Sequence, residues 1–170
     1  MTRHETTSTA WPLVFSYNGI IMGRGFLAEI AMQGRLLATP EVEGVWLHGV
    51  NPGALAVGAA TLSDANTELR NTLTRLFIDF AEQSATFDAF RERVITYFNE
   101  SDAQSAQEWE EARKQVRAGV VPVPDGLPRK TAETDTKTSV QVNIKTAEAV
   151  TPQDNIFVQQ DTKPVLAAAA

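Results

Sequence analysis

Apolar and polar residues alternate along the first third of the chain, and this alternation predicts β-strands. Over residues 26–32 one face consists of apolar side chains, Phe26, Ala28, Ile30 and Met32, and the other face carries Leu27, Glu29 and Ala31. Such a pattern is typical of a half-buried strand. Gly34 interrupts the pattern and predicts a bulge or bend. Three further strands are predicted, at residues 13–21, 45–50 and 54–57, the last of them after a Pro-Gly turn.

Apolar residues at spacings of three and four then predict three helices. The first begins at Thr61, an N-cap residue with Asp64 three positions later. Its apolar stripe consists of Ala65, Leu69, Leu73, Leu76, Phe77 and Phe80. The second helix begins near Thr86. The third begins at the capping box formed by Ser105 and Glu108, and its predicted inward residues and stop are Trp109, Ala112, Val116 and Gly119.

The character of the chain changes near residue 119. Three prolines and a glycine fall within residues 122–128, which favours an extended linker over a helix. We therefore predict one α+β domain over residues 12–119, with a small antiparallel sheet of three to four strands packed against a long helix and followed by two more helices. Residues 120–170 are predicted to form a Pro-containing linker and a flexible tail. The tail contains two β-prone patches, at 140–144 and 156–158. Three alternatives are open for them: pairing with the domain, pairing with another chain, or disorder.

The composition of the chain limits the classes of function that are expected for it. The chain has 170 residues, a net charge of −6, 15 basic residues and no cysteine. Direct nucleic-acid binding is not expected, because it requires a basic face. The sequence has no run of eighteen apolar residues, so no membrane span is predicted. The lack of cysteine favours a cytoplasmic location. An acidic surface favours association with a basic partner.

The residues predict no enzyme and no catalytic, cofactor or metal site. Histidine occurs only at His4 and His48, and cysteine ligands are absent, so a metal-binding cluster is not expected. No nucleophile elbow occurs, and the glycine spacing does not match a phosphate-binding loop. Glu29 is the only acid inside a predicted strand before the helices, which argues against a two-metal nuclease site.

Two regions are predicted to bind a partner. The first is the outward face of the sheet, with Glu29, Trp46 and His48. The second is the acidic face of the third helix, with Glu108 and Glu111. Each has a simpler structural interpretation: His48 as an ordinary sheet residue, and the acids as complements of their own helix dipole.

The segment from residue 52 to residue 65 resembles the HicB-like antitoxin family. The matching residues are Pro52, Gly53, Gly58, Thr61, Leu62, Asp64 and Ala65. The resemblance extends over about residues 20–85. One extra alanine lies between Gly58 and Thr61, and no helix-turn-helix or ribbon-helix-helix segment follows, so operator binding is not expected.

The resemblance implies a reduced ribonuclease-H-like fold without catalysis. Members of this family neutralise a small basic ribonuclease toxin by covering its active surface. The leading hypothesis is therefore an antitoxin with a small basic, toxin-like partner. The alternative is a non-catalytic adaptor or structural module that uses the same fold and its tail. Self-association into a homo-oligomer is also expected, because short strands leave an edge to be covered.

Overall fold

The computed structural model describes residues 9–130, 136–145 and 166–169. Within them lie three helices, α1 (Leu62–Glu82), α2 (Phe87–Asn99) and α3 (Ala103–Arg117). The strands are β1 (Trp11–Met22), β2 (Leu27–Glu41), β3 (Gly44–Asn51), β4 (Ala56–Ala59), β5 (Arg129–Lys130), β6 (Ser139–Ile144) and β7 (Leu166–Ala169). Strands and helices occupy separate stretches of the chain, which confirms the predicted α+β class.

All of these strands belong to one sheet. The order is β4-β3-β2-β1-β7-β5, and β6 is an additional neighbour of β2. One edge of β2 pairs with β1 over residues 27–38. Its other edge is shared, because β6 pairs with residues 28–33 and β3 with residues 35–41. The β2–β3 register shifts between Arg35 and Leu36, and a shift of this kind bends a strand and increases its twist.

The sheet is larger than predicted, with seven strands where the sequence indicated three to four. The additional strands β5, β6 and β7 all follow residue 119, so the sheet extends past the predicted domain boundary. It is also mixed, because β5 pairs with β7 in parallel. These strands are short, and their pairing depends on contacts with β1 and β2 far away in sequence. The β-prone patch at 156–158 lies outside the described residues.

The side of the sheet that carries α1 and α2, here called the core side, holds the main hydrophobic core. Phe77 of α1 and Phe90 of α2 are fully buried there. They pack against strand residues such as Phe15 and Ile30. Aromatic rings meet edge-on, with the centroids of Tyr17 and Phe77 separated by 5.3 Å. Four members of the predicted α1 stripe, Ala65, Leu69, Leu73 and Phe77, are buried, and the other two, Leu76 and Phe80, are half-buried.

The opposite side of the sheet, here called the α3 side, carries α3 over a much smaller apolar cluster. Its buried members are Val14, Leu37, Val50, Trp109, Ala112 and Ala169. Val14 lies between core-side neighbours in β1, so alternation directs it to the α3 side. The sheet therefore has helices on both faces and two cores of unequal size.

Side-chain caps define where the helices begin. The Thr61 hydroxyl accepts from the Asp64 N–H at 3.1 Å, and Thr86 caps α2 in the same way. The start of α3 differs from the prediction: its N-cap is Asp102, which accepts from the Ser105 N–H at 3.1 Å. Asp102 comes earlier in the chain and is as favourable an N-cap residue as serine, so the helix begins before Ser105. Gly119 follows the helix with a φ of 72°, a conformation that favours glycine.

Candidate functional site

Two aromatic side chains stand side by side on the α3 side of β3. Trp46 and His48 are two residues apart in the strand, so both project from the same face. Their rings lie 6.2 Å apart at an interplanar angle of 21°. Trp46 is 42% exposed, and His48 is exposed as well. The structure thus brings together two of the five residues predicted to bind a partner.

Gly58 on β4 allows the Trp46 indole to lie across the sheet. The two residues are direct cross-strand partners. A Cβ atom at position 58 would stand only 2.8 Å from the indole ring. Any larger residue would therefore displace the ring. The absence of a side chain at Gly58 therefore leaves room for the exposed indole against β4.

The tip of the β2–β3 hairpin continues this surface. Val42 is fully exposed at the tip, and its neighbours Glu41 and Glu43 are exposed too. Thr39 pairs with Trp46, and alternation along β2 therefore places Glu41 on the same side of the sheet. We call Glu41, Val42, Glu43, Trp46 and His48 the hairpin surface. It combines apolar side chains with two carboxylates and contains no lysine or arginine.

Helix α3 supports the sheet beside the hairpin surface. Trp109 is fully buried, and its indole N–H donates to the Leu13 carbonyl at 3.1 Å. Leu37, the cross-strand partner of His48, belongs to the same apolar cluster. The aromatic pair therefore rests on a strand that is held from behind by the core side and from one flank by α3.

The other predicted binding residues do not join the aromatic pair. Glu29 is exposed and lies 3.9 Å from the Lys145 ammonium. It stands on the α3 side, but ten positions from Thr39 along β2 correspond to about 33 Å in a strand. On α3, exposed Glu108 accepts from Gln104 at 3.0 Å, and exposed Glu111 lies 3.9 Å from Lys114. Each of these three carboxylates thus contacts a nearby polar or charged side chain, and the aromatic pair is not among these contacts.

The turn between β3 and β4 connects the sheet to the helices. Its Asn51–Pro52 peptide bond is cis. The Gly53 N–H donates to the Glu100 carbonyl at 2.7 Å, directly before α3. The Pro-Gly turn thus anchors the segment between α2 and α3. Its residues Asn51, Pro52 and Gly53 carry no catalytic side chain.

Sequence reasoning missed a pair of arginines near Trp109. The Arg35 guanidinium carbon lies 4.4 Å from the centroid of the Trp109 ring, and that of Arg113 lies 5.7 Å from it. Arg113 is buried although it is charged. A signal existed, because Arg113 falls four positions after Trp109, within the predicted inward stripe of α3. A charge at such a position is rarely buried without a partner.

An open groove of about 500 Å³ lies on the surface of the core-side helices. Phe80 and Tyr97 form part of its wall, and their rings lie 5.8 Å apart. Arg93 donates to Gln83 at 2.8 Å, and Glu92 is exposed to solvent. The groove is shallow and lies far from the aromatic pair, on the other side of the sheet.

Within residues 9–130, 136–145 and 166–169, no group of three or more His, Asp or Glu side chains is placed to hold a metal ion. None of the described helices is long and apolar enough to cross a membrane. Comparisons with protein-family models, with curated proteins and with solved structures found no match for this chain. The resemblance to HicB-like antitoxins therefore stays a prediction made from the sequence.

Proposed function

We propose that this protein is a non-catalytic binding module that docks a basic protein partner on the hairpin surface. The observation that carries the proposal is the exposed, stacked pair of Trp46 and His48 on one face of the sheet. The mechanism is occlusion: the partner is held by, and covered with, this surface. No chemical step belongs to the proposal.

The aromatic pair supports binding because of what a tryptophan contributes to interfaces. Tryptophan side chains are enriched among the residues that dominate interface energies. The Trp46 indole is supported by Gly58 beneath it and stacked on His48 beside it. Little side-chain entropy remains to be lost when a partner covers such a ring. The nearby apolar tip at Val42 extends the area available for burial.

The charge of the hairpin surface favours a basic partner. Glu41 and Glu43 are exposed beside the apolar residues, and the whole chain has a net charge of −6. Complementary charge accelerates encounter and selects against like-charged proteins. A second copy of this acidic chain is disfavoured as the occupant for the same reason. The predicted homo-oligomer therefore requires another surface.

The specific form of this function is the antitoxin activity that the sequence resemblance implies, directed at a small basic ribonuclease toxin. The alternative form, an adaptor module, uses the same surface for a partner without toxicity. The hairpin surface fits both forms. They differ in what the partner does when it is produced alone.

The docking surface is tested with Trp46→Ala and a matched control, Ile78→Ala. Ile78 is 39% exposed, similar to Trp46, but it lies on α1. A partner co-purified from the native host is identified, and its Kd is measured with each variant. We expect Trp46→Ala to weaken binding by about thirtyfold or more, since interface tryptophans contribute about 2 kcal/mol or more. Equal binding by both variants would contradict the proposal.

A second variant, Gly58→Ala, displaces the indole without deleting it. Its Cβ atom would meet the ring at 2.8 Å, so we expect binding to weaken while the tryptophan remains present. The antitoxin form has its own test. If the partner arrests growth when expressed alone and co-expression of this chain restores growth, that form is supported. A harmless partner removes the antitoxin form but leaves the docking surface standing.

A further inference from the structure

Two arginines from distant parts of the chain converge on one carboxylate on the α3 side. The Arg35 Nη1 atom lies 3.9 Å from Glu110 Oε1, and the Arg113 Nη1 atom lies 3.9 Å from Glu110 Oε2. Both guanidinium groups also lie over the Trp109 ring. We call Arg35 and Arg113 the arginine pair. It belongs to β2 and α3, and is distinct from the hairpin surface.

The two arginines differ in how many of their N–H groups have hydrogen-bond acceptors. The Arg35 Nε atom donates to the Thr136 carbonyl at 2.9 Å. Arg113 is only 5% exposed, and its Nε and Nη2 atoms are buried without a hydrogen-bond acceptor among the residues that the structure describes. Stacking on Trp109 stabilises the face of a guanidinium group but leaves the N–H groups at its edge unsatisfied. A buried cation with unmet donors is costly, so a group of this kind calls for an acceptor.

Glu110 satisfies the arginine pair incompletely. Its two contacts of 3.9 Å are longer than a charge-assisted N–H···O hydrogen bond, which measures about 2.7–2.9 Å. Among the described residues Glu110 is the one carboxylate that faces the two guanidinium groups, so this cluster has one excess positive charge. Burial lowers the pKa of Arg35, the Glu110 charge opposes that shift, and the Arg113 charge adds to it. The two cations therefore repel one another, and an anion with more negative charge than one carboxylate would offset that repulsion further.

The position of Glu110 also provides a way in. Its side chain is 48% exposed, whereas that of Arg113 is 6% exposed. A rotation of the Glu110 side chain into solvent would uncover the Nη1 atoms of Arg35 and Arg113 without disturbing the buried Trp109. A ligand that enters there replaces one carboxylate with its own oxygen atoms.

We propose that the arginine pair is a binding site for a small oxyanion of the phosphate type. Such an anion carries up to two negative charges and presents several acceptor oxygens, whereas Glu110 supplies one charge and two oxygens. Guanidinium groups present N–H donors in a planar fork that matches phosphate oxygens. The bound anion accepts from the Nη1 groups of Arg35 and Arg113, which Glu110 now faces, and neutralises the excess charge.

The proposal is tested by calorimetric titration of the full chain with inorganic phosphate at constant ionic strength. We expect saturable binding at one site. Arg113→Gln is expected to weaken it by about tenfold or more, because hydrogen bonds to charged groups contribute about 1.5–3 kcal/mol. Arg117→Gln, an exposed arginine on the same helix, serves as the matched control and is expected to bind as the wild type does. Absence of saturable binding, or equal affinity in Arg113→Gln, overturns the proposal.

A second variant acts in the opposite direction. Glu110→Gln removes the competing carboxylate, so we expect phosphate to bind more tightly than to the wild type. Unchanged or weaker binding in this variant overturns the proposal, even if Arg113→Gln fails to fold. Phosphoserine, titrated in the same way, identifies the source of the ligand. Tighter binding than free phosphate assigns the site to a phosphoryl group on a larger molecule, and equal or weaker binding assigns it to the free ion.

The chain also carries acids at Glu133 and Asp135, close in sequence to Thr136. A double variant, Glu133→Gln with Asp135→Asn, tests whether they compete for the arginine pair. Phosphate binding of similar affinity in this variant and in the wild type supports the proposal. Binding that occurs only in the double variant would assign the Arg113 donors to the chain's own carboxylates and overturn it.

Discussion

The two sides of the sheet differ in what they bury. The core side packs α1 and α2 over a continuous apolar core, with Phe77 and Phe90 fully buried. Among the described residues, the apolar cluster on the α3 side has six buried members. This side adds a buried arginine, an exposed tryptophan and several carboxylates to that cluster. One side is built from apolar contacts, and the other mixes apolar contacts with polar and charged groups.

This difference separates stability from recognition. Apolar burial is the main favourable term in folding, so most of the free energy of unfolding is expected to come from the core side. Elements with few buried apolar contacts open more readily, which applies to α3. Both sites that we propose, the hairpin surface and the arginine pair, lie on the α3 side. Substitutions on the two sides should therefore affect stability and binding differently.

The largest expected effect is on the core side. Phe77→Ala removes a fully buried ring and should lower the free energy of unfolding by about 3–5 kcal/mol. Ile78→Ala, its exposed neighbour on α1, should change it by only about 0.5 kcal/mol. Chemical denaturation measures both. A similar loss for the two variants would show that α1 does not pack as described.

An intermediate effect compares one chemical change in two places. Trp109→Phe deletes the N–H that donates to the Leu13 carbonyl, and should destabilise by about 1–3 kcal/mol because a buried carbonyl loses its donor. Trp11→Phe deletes a buried N–H that has no hydrogen-bond partner within the described part of the chain, and should be neutral or stabilising. Chemical denaturation of the two variants gives the comparison. Equal destabilisation by both would contradict the hydrogen-bond assignment.

The smallest effect at neutral pH concerns the two tyrosines, Tyr17 and Tyr97. Burial raises the pKa of both, and the Glu100 charge adds to the shift for Tyr97, whose pKa rises to about 12. The unfolded chain ionises its tyrosines near pH 10, while the folded chain still holds the protons. Stability should therefore fall as pH rises from about 10 towards 12.

Phenolate absorbance measures this titration directly. The folded protein should show little phenolate at pH 10, and the denatured chain should be about half ionised there. Tyr97→Phe should remove the part of the pH-dependent loss of stability that belongs to Tyr97. Half-ionised tyrosines in the folded protein at pH 10 would show that the rings are not packed against the core side.

Local patterns in the sequence account for the elements that form from near neighbours. The caps at Thr61 and Thr86 act on donors three residues away, and the α1 stripe repeats over several turns, so both are readable without the fold. Gly34 was predicted to mark an irregularity. It stays within β2, directly before the register shift at Arg35 and Leu36. A Cβ atom there would collide with the Phe15 ring and the Asn51 carbonyl.

The remaining features depend on contacts between distant parts of the chain. Residues 166–169 read Leu-Ala-Ala-Ala, a composition with little strand preference, and they form β7 because they are buried beside β1. Arg35 and Arg113 are 78 positions apart, and only the packing of α3 on the sheet brings them together. The pairing of Trp46 with His48 was predictable from alternation. The contact of the Trp46 indole with Gly58 could not be predicted in this way, because it depends on the register between β3 and β4.

The position of β7 has a consequence for the synthesis of the protein. β7 lies between β1 and β5, yet about 150 residues separate it from its partner β1 in the chain. At about 5–20 residues per second, a ribosome needs roughly 8–30 s to make that length. During this interval β1 presents unpaired backbone groups that other strands can join. The nascent chain is therefore the form of this protein with the greatest need for chaperones.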